Sequence, residues 1–499
     1  MASKKSSQHY ILSIDQGTTG TTVLILDASL KVLAKKNNEF PQYYPKSGWV
    51  EHDLDEIWAS TEKTIAEALR AAKVPAKKIA AIGITNQRET VGFWDRKTSK
   101  PLGRAIVWQC RRTADYCAEL KKQKGLEANI RRKTGLLLDP YFSGTKINWM
   151  LKHRKGVASK IKQGRLAAGT IDTFLVWKLS GGQAHITDVS NASRTLLMNL
   201  KTLQWDESLL KLFEVPSSIL PQIVSSSEVY AHTKGLSVLP DGIPIAGIAG
   251  DQQAALFGQA CFEAGSAKCT YGTGSFILMN TGSDIVLSKN KMLTTVAWKI
   301  GNKTTYALEG ASFIAGAAVQ WLRDGLGIIQ SADQVTALAA SVKDSDGVIV
   351  VPAMAGLGAP HWRPEARGLI CGITRRTTKA HLARATLEGT ALAQYDILHA
   401  MEKDSGKKLK ILKVDGGASS NNLLMQFQAD VLRCELVRPQ MIETTALGAA
   451  FLAGLAVGIW KDLNTIKKSW KKDRSFKAKM KPEQIKGIIS RWHNAVQKA

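Results

Sequence analysis

The segment Tyr10-Ile11-Leu12-Ser13-Ile14-Asp15-Gln16-Gly17-Thr18-Thr19-Gly20-Thr21-Thr22 sets an acidic residue, a glycine and a run of hydroxyls directly behind an apolar stretch. Those are the groups that a site for nucleotide phosphates and magnesium needs. Gly17 lets the backbone approach phosphate oxygens, Thr18 and Thr19 offer amides and hydroxyls as donors, and Asp15 can hold a hydrated magnesium ion through its waters. Val23-Leu24-Ile25-Leu26 then resumes the apolar pattern. The order predicts strand, turn, strand, unlike the strand-turn-helix of the Walker loop or the dinucleotide fingerprint. An ordinary hairpin with a threonine-rich turn has the same pattern, and the motif by itself leaves both open.

Two later stretches have a similar form. Cys269-Thr270-Tyr271-Gly272-Thr273-Gly274-Ser275-Phe276-Ile277 is again strand, glycine-hydroxyl turn, strand. Leu412-Lys413-Val414-Asp415-Gly416-Gly417 precedes a helical Leu423 to Leu432, so free amides at a helix start could face a nucleotide. Each turn alone is also plain architecture. Two lobes, each with a strand, a glycine turn and a strand, would let both grip one polyphosphate. Between them, Pro244-Ile245-Ala246-Gly247-Ile248-Ala249-Gly250-Asp251 is another strand ending in an aspartate, and the domain boundary is expected there, dividing the chain into 1–252 and 253–499.

The elements that must carry these turns are those of an α/β protein. Short β-like runs at Tyr10 to Ile14, Val23 to Asp27, Ile79 to Thr85 and Val91 to Trp94 surround a helical stretch from about Leu54 to Ala72. Ile57, Thr61, Thr64, Ile65 and Ala68 recur at helical spacing and should pack on the sheet. From Trp108 to Lys178 helical patterns dominate, with breaks at Asp139-Pro140 and Ser143-Gly144, as in an inserted subdomain. Ala311 to Ala318 is a small-residue stretch read as helical, and Ile485, Ile488, Ile489, Trp492 and Val496 fall on one face of a C-terminal helix.

At 499 residues the chain exceeds the size at which one core keeps growing, so two domains are the first expectation, with four a loose ceiling. The run Ala446 to Trp460 is interrupted by glycines and short of the roughly 20 residues a bilayer demands, which predicts a buried helix and no membrane span. No apolar secretory segment precedes Tyr10, and the expected location is the cytoplasm. Six cysteines without a Cys-x-x-Cys pair speak against a disulfide framework and a zinc site. The net charge of +26 raises nucleic acid or anionic membranes as partners. Apart from Lys467-Lys468 and Lys471-Lys472 the excess is dispersed and no aromatic-basic module accompanies it, so a solvated basic face with no specific nucleic acid is the expectation.

The three glycine turns, in this order and with an acidic strand end before the second, resemble the actin-like (ribonuclease H-like) ATPase architecture. More narrowly, the chain resembles the glycerol kinases of the FGGY carbohydrate-kinase family. The resemblance spans about Tyr10 to Trp460 and rests on Asp15-Gln16-Gly17-Thr18-Thr19, Gly83-Ile84-Thr85-Asn86-Gln87-Arg88-Glu89-Thr90, Val107-Trp108-Gln109-Cys110-Arg111-Arg112, Asp139-Pro140-Tyr141-Phe142-Ser143-Gly144-Thr145-Lys146, Gly250-Asp251-Gln252-Gln253-Ala254-Ala255-Leu256-Phe257-Gly258, Tyr271-Gly272-Thr273-Gly274, Val414-Asp415-Gly416-Gly417 and Thr444-Thr445-Ala446-Leu447-Gly448.

The resemblance implies two actin-like domains with an active-site cleft between them, ATP and magnesium as cofactors, glycerol as acceptor, and a homodimer or homotetramer. It implies that Arg88, Glu89, Tyr141, Asp251 and Gln252 bind glycerol hydroxyls while Trp108 and Phe276 cover its carbons. Asp251 would be the general base, because a primary alcohol is a poor nucleophile near neutral pH. Asp15 would serve the metal. Gly17, Thr18, Thr19 and Thr273 would meet the phosphates, and Gly316, Gln320, Gly417 and Asn421 the nucleoside end. By fold analogy the cleft would close over its ligands and keep hydrolysis slow.

Departures from the family pattern carry expectations of their own. Two serines and a basic residue usually follow the Thr19 position; Gly20, Thr21 and Thr22 stand there instead, which predicts an active enzyme with modest nucleotide affinity. The elements through which some relatives respond to a sugar bisphosphate or to histidine phosphorylation are absent from Glu228 to Pro240, where His232 stands alone. No response to either is expected. Competing readings are an FGGY kinase for another polyol or ketose such as xylulose, and an actin- or chaperone-like ATPase whose turnover needs no polyol.

Overall fold

In the computed structural model, which describes residues 9–363 and 365–499, the first strands form an antiparallel meander: β1 (Tyr10–Gln16), β2 (Gly20–Asp27) and β3 (Val32–Glu39). The predicted strand-turn-strand is therefore present, with Gly17-Thr18-Thr19 as its turn. α1 (Leu54–Ala72) follows, started by the Asp53 side chain accepting from the Asp55 amide and ended by Lys73 in the left-handed region. Its buried face contains Ile57, Thr61, Thr64, Ile65 and Ala68, as the spacing predicts. β4 (Ile79–Asn86) returns parallel to β1, while β5 (Val91–Asp95) turns into a separate four-stranded sheet.

α2 (Ser143–His153) corrects one expectation, since Ser143-Gly144 is no break. The two residues open the helix. Gly144 is there for close approach: its amide donates to the Thr195 carbonyl at 2.7 Å, and an added Cβ would meet that oxygen at 2.8 Å. After β6 (Ser227–His232), β7 (Pro244–Gly250) runs parallel to β4 and delivers the chain into α3 (Asp251–Gly258).

The second half repeats the plan with β8 (Ala267–Tyr271), β9 (Ser275–Gly282), β10 (Leu293–Ile300) and β11 (Lys303–Ser312). Then come α4 (Gly316–Asp324), α5 (Lys379–Ser405), β12 (Ile411–Asp415), α6 (Asn422–Leu432) and β13 (Glu435–Pro439). α7 (Thr444–Ala456), β14 (Lys472–Phe476) and α8 (Pro482–Lys498) close the chain. The helical reading of Ala311 to Ala318 is also corrected. Ala311 and Ser312 pair with Phe276 and Ser275 in β11, and the helix starts only at Gly316. Pairing with β9 overrides the helix preference of small residues.

In one continuous sheet the order is β14-β13-β12-β8-β9-β11-β10-β6-β7-β4-β1-β2-β3. Each half contains the same arrangement, β3-β2-β1-β4-β7 in the first and β11-β9-β8-β12-β13 in the second, with the strand-ending glycine turns at corresponding places. The halves meet in the sheet through one pairing, Ser227 with Ile300. A larger bond between them is α7, whose apolar faces pack against α3 and the sheet of the first half. Glycines make that contact possible. A Cβ at Gly83 would lie 2.2 Å from the Ala449 carbonyl oxygen, and one at Gly448 would lie 1.9 Å from that of Ala254.

Separate apolar clusters underlie the two halves, one around Ile14, Ile57, Ile82 and Phe174, the other around Tyr271, Met401, Val414 and Trp492. α8 docks on the second cluster through Trp492, Ala495 and Val496, with Ile488 and Ile489 packed against it; the Trp492 indole donates to Asp396 at 2.8 Å and His493 bonds the same carboxylate at 2.8 Å. The cysteines are free thiols, and five of the six are buried. Among the described residues no helix is long and apolar enough to cross a membrane.

Candidate active site

Both glycine turns are braced from behind, and the bracing decides which way their amides face. The Gly17 carbonyl accepts from the side chains of Gln16 at 2.8 Å and Gln87 at 3.0 Å, and the Thr18 carbonyl accepts from Gln42 at 3.0 Å. In a trans peptide the N–H points opposite to its carbonyl, so the Thr18 and Thr19 amides are turned away from these glutamines. In the second turn the Gly272 carbonyl accepts from the Gly316 amide at 2.9 Å, and the Thr273 carbonyl from Ala315 at 2.8 Å and Ala317 at 3.1 Å. The Thr273 and Gly274 amides are thereby turned away from α4. Glycine is required at Gly274 and Gly316, where a Cβ would stand 2.6 Å from the Ser312 carbonyl oxygen and 2.7 Å from that of Gly272.

Asp251 opens α3 at the end of β7. Its Oδ1 accepts from the Gln252 amide at 2.7 Å and lies 3.0 Å from Arg88 Nε, with 31% of the side chain still exposed. A carboxylate fixed on one oxygen and open to solvent on one side can take a proton from a bound alcohol. Asp15, at the end of β1, shares the locality: burial first, then the charge of Asp251, push its carboxyl up to about 7 against the opposing pull of Lys35. Lys35 itself is paired with Glu443 at the head of α7.

Family membership follows from the whole chain. Residues 10–258 match the model of the FGGY family of carbohydrate kinases, N-terminal domain, and residues 267–457 match its C-terminal domain. The chain belongs to the FGGY family of carbohydrate kinases. It is 61% identical to a glycerol kinase of Myxococcus xanthus over 98% of this chain and 99% of that one. It is 58% identical to a glycerol kinase of Bdellovibrio bacteriovorus, at 98% and 99% coverage. Among solved structures, a Plasmodium falciparum glycerol kinase with ADP superposes with a TM-score of 0.93 at 39% identity, covering 98% of each chain.

In this FGGY kinase the motif residues Arg88 and Glu89 are not a surface pair. They sit in the β4–β5 turn, almost wholly buried, with Glu89 at a φ of 60°. Arg88 donates through Nη1 and Nη2 to Glu309 at 2.5 and 3.0 Å, and through Nη1 to Gln253 at 3.2 Å. Arg194 donates to Glu89 Oε1 at 2.6 Å and to Glu309 Oε1 at 2.9 Å. Burial raises the Glu89 carboxyl, an effect that Arg194 and Arg88 only partly offset. At Glu309 burial is outweighed by the two guanidiniums, which hold the carboxyl down at about 2.

Tyr141, Trp108 and Gln252 gather around the same cluster. The Tyr141 ring meets Trp108 at 5.6 Å between centroids and lies 5.7 Å from the Arg194 guanidinium carbon. Trp108 donates its indole N–H to the Thr18 hydroxyl at 3.0 Å, tying this wall to the first turn. Gln252 accepts at Oε1 from Lys268, a fully buried amine whose pKa burial lowers. Phe276 stands half-buried on β9, opposite Thr270.

Gly316 and Gln320 lie at the start and middle of α4, behind the second turn. Gly417 follows β12, in open space where a Cβ would touch nothing. Gly416 before it has a φ of 83°, and its Cβ would meet the Tyr271 carbonyl oxygen at 2.4 Å. The Asn421 side-chain oxygen caps α6 by accepting from Leu423 and Leu424 at 3.1 and 3.0 Å, which leaves its NH2 group for a ligand.

Sequence reading missed Glu309, Arg194, Gln253 and Lys268. Glu309 did leave a sign, a lone carboxylate in the apolar run Tyr306-Ala307-Leu308-Glu309-Gly310-Ala311. Arg194 lies in Ser193-Arg194-Thr195, where no periodicity or motif marks it.

Proposed function

We propose that this FGGY kinase transfers the γ-phosphoryl group of ATP to a primary hydroxyl of glycerol, giving sn-glycerol 3-phosphate and ADP. What carries the reading is the Asp251 carboxylate, held by Arg88 beside the Asp15 turn and backed by full-length similarity to glycerol kinases. The polyol hydroxyls fit the unspent groups around it: Glu89 beyond its Oε1 contact, the one Arg88 N–H not committed to Glu309, Gln253 or Asp251, the Tyr141 hydroxyl and the Gln252 amide. Trp108 and Phe276 supply apolar walls for the carbon chain.

With glycerol in place, Asp251 accepts the proton of the attacking hydroxyl as that oxygen bonds to the γ-phosphorus, and the bond to the ADP oxygen breaks in line with it. The Thr18, Thr19, Thr273 and Gly274 amides donate to the charge on the phosphate oxygens. Two carboxylates close enough for Asp251 to raise Asp15 suit a hydrated divalent cation, and we assign magnesium to Asp15. When bound, that ion would neutralise phosphate charge. Gly316, Gln320, Gly417 and the Asn421 amide are assigned to the nucleoside end.

A panel of glycerol, dihydroxyacetone, erythritol, xylulose and ribulose with ATP and magnesium tests the substrate. Glycerol should give the highest kcat/KM. Asp251→Asn keeps an oxygen for both existing contacts and should lower kcat by about 100- to 10,000-fold with folding retained. Faster turnover of a ketose, or ATP hydrolysis indifferent to any polyol, would reject the assignment.

A further inference from the structure

The most unusual group beside the candidate site is a carboxylate from the opposite half of the chain. Glu309 is 1% exposed and carries two guanidiniums, a forked pair of bonds to Arg88 and a single one to Arg194. Arg88 faces both ways: three of its Nη N–H groups go to Glu309 and Gln253, and its Nε to Asp251. Resting on the reading of Asp251 as the base, we propose that Glu309 is a positioning residue, fixing the Arg88 guanidinium, and through it the Asp251 carboxylate, against the phosphate turn Gly272–Gly274.

The link to that turn is the strand itself. β11 continues from Glu309 to its end at Ser312, and the carbonyls of Ser312 and Phe313 brace Gly274 so closely that a Cβ there would stand 2.6 and 2.8 Å from their oxygens. β11 is also paired along its length with β9, Glu309 opposite Leu278 and Ser312 opposite Ser275. Three strand residues span about 10 Å, so one rigid strand sets the distance between the proton acceptor and the phosphoryl donor.

Arg194 completes the device. It donates to the same Oε1 of Glu309 that Arg88 Nη2 binds and is anchored in turn by Glu89. An amide in place of Glu309 would offer one oxygen to two guanidiniums and turn an NH2 donor against N–H donors. Mere counter-charge is a weaker account of the pair, because buried ion pairs contribute little net stability compared with apolar residues of similar size.

Glu309→Gln and Glu309→Asp, compared with the wild type and Asp251→Asn, provide the test. The readouts are kcat, the KM of each substrate, and ADP affinity by titration. Glu309→Gln should lose about 100-fold in kcat, the scale set by a misplacement of 1 Å, with glycerol KM and ADP affinity changed by less than about fivefold. Glu309→Asp keeps the charge on a shorter side chain and should recover about tenfold of the loss, remaining about tenfold below the wild type.

The proposal is overturned if folded Glu309→Gln keeps wild-type kcat, or if its loss of kcat is accompanied by a comparable rise in both KM values and a comparable loss of ADP affinity. If Glu309→Gln does not fold, Glu309→Asp decides: reduced kcat at unchanged KM supports positioning, and wild-type kcat overturns it. Failure of the underlying reading looks different. It would show as a wild type without glycerol-dependent turnover, or as Asp251→Asn at full speed, whatever the Glu309 variants do.

Discussion

Asp15 should make nucleotide binding a proton-releasing event. Burial and the neighbouring Asp251 charge raise its carboxyl to about 7 in the ligand-free protein, so about a tenth of molecules carry the carboxylate at pH 6 and about nine-tenths at pH 8. A divalent cation with its nucleotide favours the ionised form. The apparent affinity for magnesium-ADP should therefore rise about tenfold between pH 6 and pH 8, equivalent to about 1.4 kcal/mol, and binding at pH 6 should release close to one proton.

Calorimetric titration in two buffers of different ionisation enthalpy measures that proton directly. Asp15→Asn should abolish the part of the pH dependence that belongs to the protein, with titration of the nucleotide subtracted by the comparison. The same shift has a consequence for stability. Between the unfolded value of 3.8 and about 7 the folded chain binds more protons than the unfolded one, so ligand-free stability falls as pH rises through that window. Asp172, also raised to about 7 by burial, acts in the same direction, and the Asp15→Asn control separates the two. Equal affinity and equal proton release in wild type and Asp15→Asn across pH 6–8 would refute the reasoning.

Thr22→Arg restores a cation on the strand position paired with Asp15; at an effective dielectric of about 20 and about 4 Å the gross attraction is about 4 kcal/mol before desolvation, so the KM for ATP should fall about tenfold with glycerol KM unchanged. An unchanged ATP KM in steady-state assays would mean that the missing cation is already compensated. Gly316→Ala places a methyl 2.7 Å from the Gly272 oxygen and should raise the ATP KM by at least about tenfold without raising that for glycerol. Trp492→Ala empties a fully buried site and removes a donor from Asp396, and urea denaturation should show a loss of about 3–5 kcal/mol.

Much of the fold was legible because its signals are local. The hairpin around Gly17 follows from an apolar run, a glycine turn and a second apolar run, and α1 from residues spaced for one buried face. The docking face of α8 was equally plain. Where the reading failed, a distant partner had overruled a local preference. Ala311 and Ser312 are strand because β9 lies beside them, and Gly144 opens a helix because Thr195 leaves no room for a side chain.

By itself the sequence determined the chemical inventory: two glycine turns able to hold phosphate, a strand-end aspartate able to accept a proton, and aromatic and amide groups suited to a polyol. Each is encoded within a few neighbouring residues, because turn geometry and strand ends are short-range properties. Only the tertiary structure decided how those groups are held. Arg88 and Glu89 are interior charges rather than surface ones because Glu309 and Arg194, more than a hundred residues away, meet them in the core. A buried guanidinium needs carboxylates at hydrogen-bond distance from every side, and chain spacing says nothing about which remote strand will bring them.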